Sequence, residues 1–594
     1  MSGGVERQAM DVDIACVGFG PATAGFLTTL SKSLVNPDGS PAIESRVMPG
    51  LPLQVVCYER ADDVGFGVSG VVTRARGIRS SLPELDFNRI PMAAAVAEEK
   101  VVYLLDPAGA SRRSLALRVA DRMLRTLRLD RDFGCELPYV PPFLRKDGGV
   151  VLSLGQFMQH VAGEISSSGA VQIWPGMPVA EALPGETDNS VGGIRLTDQG
   201  AEPGIDIHAA LTVIGDGPVG AVGRQLDERL GMPDGHHHRE WALGMKFVVD
   251  LPEGTELEAG TVLHTIGYPE PEIFGFLYVH PGNVASMGIF VPSWFRSPAR
   301  TAYRYLQHYV THPYLWRYLK GAKLRSWGAK SLEESGRSGE PFLVGDGFAR
   351  IGEGSGSTNV LTGSGVDEAW TTGTQLAQAV IRLAQNDRPF TRENLEQTYV
   401  ALRRSSRLEQ ESRIAEKSRD GFHRGVVTGL IGMALTGLTK GKLSLGGEPQ
   451  PAPTMERFYA GKIPAEVLHR IVADCRAKGT SSNDALMDAC GWPAVPFDGE
   501  LLITHQDALL VGGKVQAPAG FPDHVQFREP DLCEACAGKL CIEMCSGQAI
   551  TPGSDGVPAF DREKCVYCGA CLWNCPNGAI AFQAGAGGLH SNEN

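Results

Sequence analysis

Eight of the chain's thirteen cysteines fall between residues 533 and 575, in two runs. The first is Cys533-x2-Cys536-x4-Cys541-x3-Cys545 and the second Cys565-x2-Cys568-x2-Cys571-x3-Cys575-Pro576. The second run has the bacterial ferredoxin spacing, in which three thiolates close on one iron–sulfur cluster and the fourth ligates the other. A structural zinc held by four cysteines is the competing chemistry for the remaining thiolates; the Cys575-Pro576 ending favours iron–sulfur. Such a module moves electrons, so the elements upstream are read by asking what would exchange electrons with it.

The first upstream element is an apolar strand from Val12 that runs into Gly18-x-Gly20 and then a helix opened by Pro21 and Ala22 and continuing to about Leu34. Glycines there let the backbone approach a pyrophosphate seated on the helix N-terminus. A second strand, Leu53–Glu59, ends in an acid suited to ribose hydroxyls, after a Pro/Gly-rich insertion over Ser33–Pro52. A further glycine cluster, Gly215-Asp216-Gly217 through Gly220, follows the strand His208–Ile214. It matches a dinucleotide fingerprint literally, but Met232–Glu240, with His236, His237 and His238, does not read as a strand ending in a ribose-binding acid. It resembles instead the Gly-Asp-Gly turn that packs against the flavin in flavoproteins of the hydroxylase-like class. The third stretch, Gly352-Glu353-Gly354 through Asn359, continues by way of Gly363 and Gly365 into a helix over Val366–Gln385. Its backbone donors can serve the same cofactor.

Residues Trp241–Val291 alternate apolar and polar positions between turn signals and predict a mainly antiparallel sheet. An aromatic helix is expected over Thr301–Leu319. Over Ser111–Asp132 seven arginines, Arg112, Arg113, Arg118, Arg122, Arg125, Arg128 and Arg131, interleave with apolar residues at helical spacing. That helix suits anionic headgroups or an acidic partner, or is a solvated surface helix with an ordinary buried stripe. The stretch Gly425–Thr439 is uncharged and bounded by Arg424 and Lys440. It is shorter than the roughly 20 residues needed to cross a bilayer, yet long enough to dip into one leaflet; a buried core helix is the plain alternative. Leu445–Thr454 and Phe497–Pro530 read as connectors into the cysteine domain.

The chain's 594 residues exceed one ordinary core, and its net charge of -13 argues against a general nucleic-acid binder. Cys16, Cys57, Cys135, Cys475 and Cys490 are scattered without a disulfide pattern, which fits a reducing compartment. Met1–Met10 carries neither an export signal nor an organelle presequence.

Taken in order, these features resemble electron-transfer-flavoprotein:quinone oxidoreductases and their bacterial FixC-type relatives. The resemblance includes Gly65-Phe-Gly-Val-Ser-Gly70, Leu263-His-Thr-Ile-Gly-Tyr-Pro269, Gly275-Phe-Leu-Tyr278 and Gly328-Ala-Lys-Ser-Leu332 as well as the three glycine stretches. It implies an α/β (α+β overall) fold: a Rossmann-like FAD domain interwoven with a mainly antiparallel quinone-binding sheet, plus a ferredoxin-like domain. The expected division is an FAD domain in three segments (11–105, 151–240, 341–400), an amphipathic insertion (106–150), a quinone-binding sheet (241–340), a helical, membrane-associating and connecting region (401–525), and a two-cluster ferredoxin-like domain (526–594). FAD contacts fall to Gly18, Gly20, Pro21, Ala22, Glu59, Gly215, Asp216, Gly217, Gly352, Glu353 and Gly365. Tyr268, His264 and Gly275 are the expected quinone and flavin contacts; sheet packing is the plain alternative for Tyr268 and His264. The family's single [4Fe–4S] cluster maps onto Cys545, Cys565, Cys568 and Cys571. By the crossover rule Cys533, Cys536, Cys541 and Cys575 then form a second, as if a FixX-type ferredoxin were fused to the flavoprotein.

Three departures stand out: Phe274-Gly275 where the family has a glycine pair, Glu353 in the phosphate turn, and a shortened glycine patch in the tail Ala584–Asn594. The implied activity takes electrons from a reduced electron-transferring flavoprotein through clusters and FAD to membrane quinone, by peripheral or monotopic contact at the cytoplasmic side of a bacterial inner membrane. Competing readings are a nicotinamide-dependent oxidoreductase, a prenyl reductase of the geranylgeranyl type, and a wiring subunit of a larger, Fix-type bifurcating complex.

Overall fold

The computed structural model describes residues 7–67, 70–187, 189–238, 240–298, 302–511 and 520–583. Val68 and Ser69 of the Gly65–Gly70 turn, Thr301, part of the last connector (512–519) and the tail glycine patch lie outside the described residues.

Strand Ala9–Val17 turns from exposed to continuously buried along its length. That is the pattern of a parallel strand covered on both faces. It pairs in parallel with Val55–Tyr58 on one side and Asp206–Ile214 on the other. The sheet then continues to Val171–Trp174 at one edge and, through Phe348–Arg350, to Val344–Gly345 at the other. An antiparallel flap, Val179–Pro184 and Val191–Leu196, hangs off Asp206–Ile214.

Helix Pro21–Ser31 follows the first strand and crosses the long helix Val366–Gln385 at backbone contact. Two glycines permit this. A Cβ on Gly25 would lie 2.5 Å from Trp370 O, and one on Gly373 would lie 1.8 Å from Ala22 O. The crossing brings together two helices that lie far apart in the sequence.

The second sheet orders Lys323–Glu333, Trp241–Asp250, Val284–Pro292, Phe274–His280 and Thr261–Ile266 as antiparallel neighbours. Glu98–Leu104 then adds in parallel, and Gly134–Glu136 completes the edge. This corrects the expected division. The chain enters the second sheet at Glu98, inside the segment assigned to the FAD domain, and the arginine-rich stretch is an excursion between two strands of that sheet.

One face of this sheet is covered by Ala302–Val310 and Pro313–Leu319, and the other looks toward the dinucleotide-type unit through Val151, Val262, Phe276 and Tyr278. The expected single aromatic helix is therefore two. Pro313 cannot donate to the preceding turn, and His312 caps the second helix by accepting from Tyr314 N. The first helix ends at Ser31, short of Leu34, and the arginine helix covers Leu115–Thr126 only.

At the C-terminus, short helices Pro530–Ala535, Leu540–Glu543 and Ala570–Asn574 alternate with two small strand pairs. This unit packs on the rest of the chain through Val219, Trp241, Ile542 and Leu572. No helix among the described residues is long and apolar enough to cross a membrane.

Candidate functional site

The first glycine turn sits at the C-terminal end of the central strand. Gly18 has φ +81, and a Cβ there would meet Gly215 O at 3.1 Å and Asp216 Cα at 3.2 Å. Left-handed geometry and the adjoining turn together require glycine. Gly20 caps the helix with open space where its Cβ would be, Pro21 takes the first helical position, and Ala22 is buried behind it. Glu59 reaches back onto this turn: its Oε2 accepts from Phe19 N at 2.7 Å and its Oε1 from Ala61 N at 2.9 Å.

Gly352, with φ +78, brings the third stretch against the same helix start; its Cβ would lie 2.9 Å from the Ala22 Cβ. Gly354 abuts Gly217 O at 2.7 Å on the same measure. Gly18, Gly20, Pro21, Ala22, Gly215, Gly217 and Gly352 thus converge. Gly365 caps the long helix a little further along. The first turn of that helix is pinned by Asp367, which accepts from Arg76 N, Gly77 N and Ile78 N at 2.8–3.2 Å.

Two acids expected at the cofactor point elsewhere. The Asp216 carboxylate accepts from Val222 N and Gly223 N at 3.0 Å, so it caps helix Ala221–Leu230. Burial lifts it to about 6 against those bonds and Arg350. Glu353 accepts from Glu333 N at 3.0 Å and approaches Lys330 at 3.5 Å, tying the third stretch to the second sheet. Neither carboxylate faces the cradle, so what these positions offer there is backbone.

The cradle fits a bound dinucleotide. Two helix N-termini supply unpaired N–H groups for phosphate, the Gly20 face is open, and Thr358 Oγ1 beside Gly365 is buried with no partner.

The expected quinone contacts are not brought together. Nε2 of His264 lies 2.8 Å from Glu99 Oε1, on the sheet face that looks toward the cradle. Tyr268 is buried on the other side, 4.8 Å from the His312 ring and 5.5 Å from Trp492, and burial raises its phenol. A Cβ on Gly275 would meet Thr265 Oγ1 at 2.5 Å and the Tyr309 ring at 2.7 Å, so that position also faces the helix-covered side. Of the three, His264 alone is placed to look toward the cradle.

The cysteines, by contrast, gather as the crossover rule requires. Cys533, Cys536, Cys541 and Cys575 line one pocket of about 300 Å³, partly open to solvent, together with Leu532, Lys539 and Pro576. Burial first, then the neighbouring Cys575, Cys536 and Cys533, pushes the Cys541 thiol up to about 12. Cys545, Cys565 and Cys568 surround Cys571 and raise it after burial does, with Cys541 next beyond them. Among the described residues no group of three or more His, Cys, Asp or Glu is drawn tightly enough for a single ion. The donors are thiols arranged about a space. Backbone donors already point at the second set: Ala549 N lies 3.2 Å from Cys545 Sγ and Tyr567 N lies 3.3 Å from Cys565 Sγ.

That second set is also the one joined to the rest of the molecule. Ser331 N donates to Cys568 O at 2.7 Å, and Trp573 Nε1 donates to Ser331 Oγ at 2.8 Å. A Cβ on Gly569 would meet the Val219 side chain at 2.7 Å, and the Arg60 guanidinium, next to Glu59, stacks 3.6 Å over the Tyr567 ring. Sequence reasoning missed His524, whose Nε2 lies 3.1 Å from Cys565 Sγ. It stands in a stretch read as a connector, and no local spacing marks it.

Two surfaces complete the picture. In the arginine helix Leu117, Asp121 and Leu124 are half-buried, while Leu115, Val119, Met123 and Leu127 point outward. No residue of the helix is buried, so the ordinary buried stripe is absent from it. The apolar helix Val426–Thr439 turns Gly429, Gly432, Met433 and Thr436 inward and exposes Val427, Ile431 and Leu438. Exposed Leu137 and Tyr139 lie between the two helices in sequence, and Phe143 follows, packing on Gly437 of the apolar helix.

The cradle and the cysteine unit define a mixed α/β protein of dinucleotide-binding type joined to an iron–sulfur domain. The sequence pattern of the family described as ETF-QO, ubiquinone-binding matches residues 241–332, and that of the 4Fe-4S binding domain matches residues 558–581. A probable electron transfer flavoprotein-ubiquinone oxidoreductase of Acinetobacter baylyi is 26% identical over 393 residues, covering 63% of this chain and 62% of that protein. The mitochondrial electron transfer flavoprotein-ubiquinone oxidoreductase of Arabidopsis thaliana is 25% identical over 612 aligned positions, 98% of this chain and 84% of that one. The chain is thus similar to electron transfer flavoprotein-ubiquinone oxidoreductases over most of its length and carries their ubiquinone-binding pattern. It spans about three fifths of the length of the first curated relatives it matches.

Proposed function

We propose that this protein is an oxidoreductase that takes electrons from a reduced electron-transferring flavoprotein and delivers them to membrane quinone by way of two [4Fe–4S] clusters and FAD. The observation that carries the reading is the junction between the cysteine unit and the cradle: Cys568 bonded to Ser331, Gly569 against Val219, and Arg60 over Tyr567.

When bound, the clusters handle single electrons, and FAD converts between one- and two-electron steps. The chain's own residues set order and access. Cys545, Cys565, Cys568 and Cys571 hold the inner position, next to the cradle. Cys533, Cys536, Cys541 and Cys575 hold the outer one, beside exposed Leu532, where a donor protein can dock. Gly18, Gly20 and Gly352 admit the pyrophosphate to two helix starts, and Glu59, already on the glycine turn, is placed for ribose hydroxyls.

Quinone is a lipid, so the site must meet a membrane. The outward apolar side chains of the arginine helix, Leu137, Tyr139 and the apolar helix form the surface for monotopic contact, with arginines for anionic headgroups. On this reading the protein works, in a bacterium, at the cytoplasmic side of the inner membrane, in keeping with cysteines that carry no disulfide pattern. The test is stoichiometric reduction of a water-soluble quinone analogue by reduced electron-transferring flavoprotein with the purified holoprotein. Bound flavin and iron with no quinone turnover would leave a wiring subunit and sink this reading.

A further inference from the structure

Strand Trp241–Asp250 is buried over nine consecutive residues, and one of them is a lysine. Lys246 is 2% exposed, and among the described residues its Nζ has no hydrogen-bond partner. Its cross-strand neighbours are Gly288 on one side and Gly328 on the other. Bare backbone therefore flanks the side chain across the sheet. A Cβ on Gly288 would lie 2.8 Å from the Lys246 Cβ and 2.9 Å from the Phe276 ring.

The amine ends beside Gly70. A Cβ on Gly70 would lie 3.1 Å from Lys246 Nζ and 2.5 Å from Ser286 Oγ. The neighbouring polar groups are already committed to each other. Ser286 Oγ lies 2.9 Å from His280 Nε2, and His280 Nδ1 lies 2.8 Å from Met92 O. Burial drives the ammonium well below its ordinary range. A buried polar group without a partner costs free energy, and a charged one costs more.

The space this amine faces is bounded by elements already placed. The cradle holds the pyrophosphate end at Gly18–Ala22 and Gly352. The start of the long helix lies ahead of it at Gly365, and Asp367 clamps residues 76–78, which continue from the Gly70 turn, onto that helix. A dinucleotide flavin held at the first helix start and passing the second would meet Gly70 and the sheet face that carries Lys246, Phe276 and Tyr278.

We propose that Lys246 is the sheet's donor to the flavin ring edge and favours its reduced form. Two electrons and one proton convert the neutral oxidised ring to an anion; that charge offsets the burial of the amine, so Lys246 takes a second proton from solvent and the resulting ammonium stabilises the anion in a low-dielectric site. The assignment rests on the reading of the cradle as an FAD site and adds to it the residue that sets the ring's redox equilibrium.

The experiment equilibrates holoprotein with redox dyes and reads the flavin absorbance in the parent and in Lys246→Met, Lys246→Gln and Lys246→Arg. The Met variant should retain one flavin per chain. Its oxidised-to-reduced ratio at a fixed dye potential should rise by about tenfold or more, a shift of about 30 mV for a two-electron couple. Arg, which keeps the charge, should stay within about threefold of the parent. Gln, polar and near in length, carries the test if Met prevents folding. Flavin-replete Met or Gln protein that titrates like the parent overturns the assignment and leaves the FAD site standing. Parent protein purified without flavin overturns both.

Discussion

The outward face of the arginine helix gives the sharpest test of membrane contact. Leu115, Met123 and Leu127 expose 72%, 61% and 66% of their surface. Complete burial of a Leu or Met side chain is worth about 1.5–3 kcal/mol. Scaled by those fractions, each contributes about 1–2 kcal/mol if the helix lies in the interface. Changing all three to Ser therefore removes about 3–6 kcal/mol of membrane affinity. Since 1.4 kcal/mol is tenfold, the partition coefficient should fall by about a hundredfold or more. Because these side chains touch solvent rather than core, folding stability should change by no more than about 0.5 kcal/mol each.

Co-sedimentation with vesicles separates this apolar contribution from charge. The Ser triple variant should lose binding to neutral and anionic vesicles alike, at any salt. The companion variant Arg118→Gln, Arg122→Gln, Arg125→Gln should lose binding to anionic vesicles only, and only at low ionic strength. Each arginine near an anionic surface is worth about 1 kcal/mol and is screened over about 8 Å at physiological salt. A Ser triple variant that binds neutral vesicles as the parent does refutes the argument and moves the anchor to Val427, Ile431 and Leu438 of the apolar helix.

Cys575→Ser should remove the outer cluster and leave the inner one, so iron falls from about eight to about four atoms per chain with flavin unchanged. Zinc in place of the lost iron in the parent would contradict the second cluster. His524→Leu removes the ring nitrogen at Cys565 Sγ; burial holds this imidazole neutral, near 3, so it can donate one N–H to the thiolate. The inner cluster should then show a lower midpoint potential in an electron-spin titration, with iron content intact. Glu270 is raised to about 7 by burial, with Glu272 adding to the rise and Arg112 opposing it. A native carboxylate raised above its unfolded value binds a proton the unfolded chain does not, so it costs stability progressively as pH climbs from about 4.5 to about 7. Glu270→Gln should be more stable than the parent above pH 7, by about 3 kcal/mol. The two should converge below about pH 4.5, which denaturant midpoints at several pH values would show.

Local chemistry carried the sequence reading furthest. Cysteine spacing limits which thiols can reach one cluster, and Cys533, Cys536, Cys541 and Cys575 do line one pocket. The long helix begins and ends where Gly365 and Asn386 place it. Pairing partners are another matter. Glu98–Leu104 is a strand whose neighbour is Thr261–Ile266, far along the chain, and nothing local to either reveals that they lie in parallel. The quinone contacts failed for a related reason. Gly275 stands opposite Thr265, while His264 stands opposite Phe276. Alternation along a strand puts Thr265 and His264 on opposite faces, so Gly275 and His264 could not share a site. That follows from the register, and the register was not in the motif.

Lys246 differs from both cases, because its signal was present and went unused. Trp241–Asp250 is apolar on both faces but for Lys246 and the terminal Asp250. A lysine inside a doubly covered strand must meet a carboxylate, a carbonyl or a ligand to offset its burial. Among the described residues, none of the first two bonds to Nζ. The glycines beside it, Gly288 and Gly328, keep the flanking sheet positions bare. Nearby, His280 and Ser286 are paired off with each other. A chain under no functional demand would replace such a lysine with Met or Leu of similar volume and gain stability. The uncompensated amine therefore points to an electronegative group that arrives with the cofactor, on the sheet face that meets the cradle.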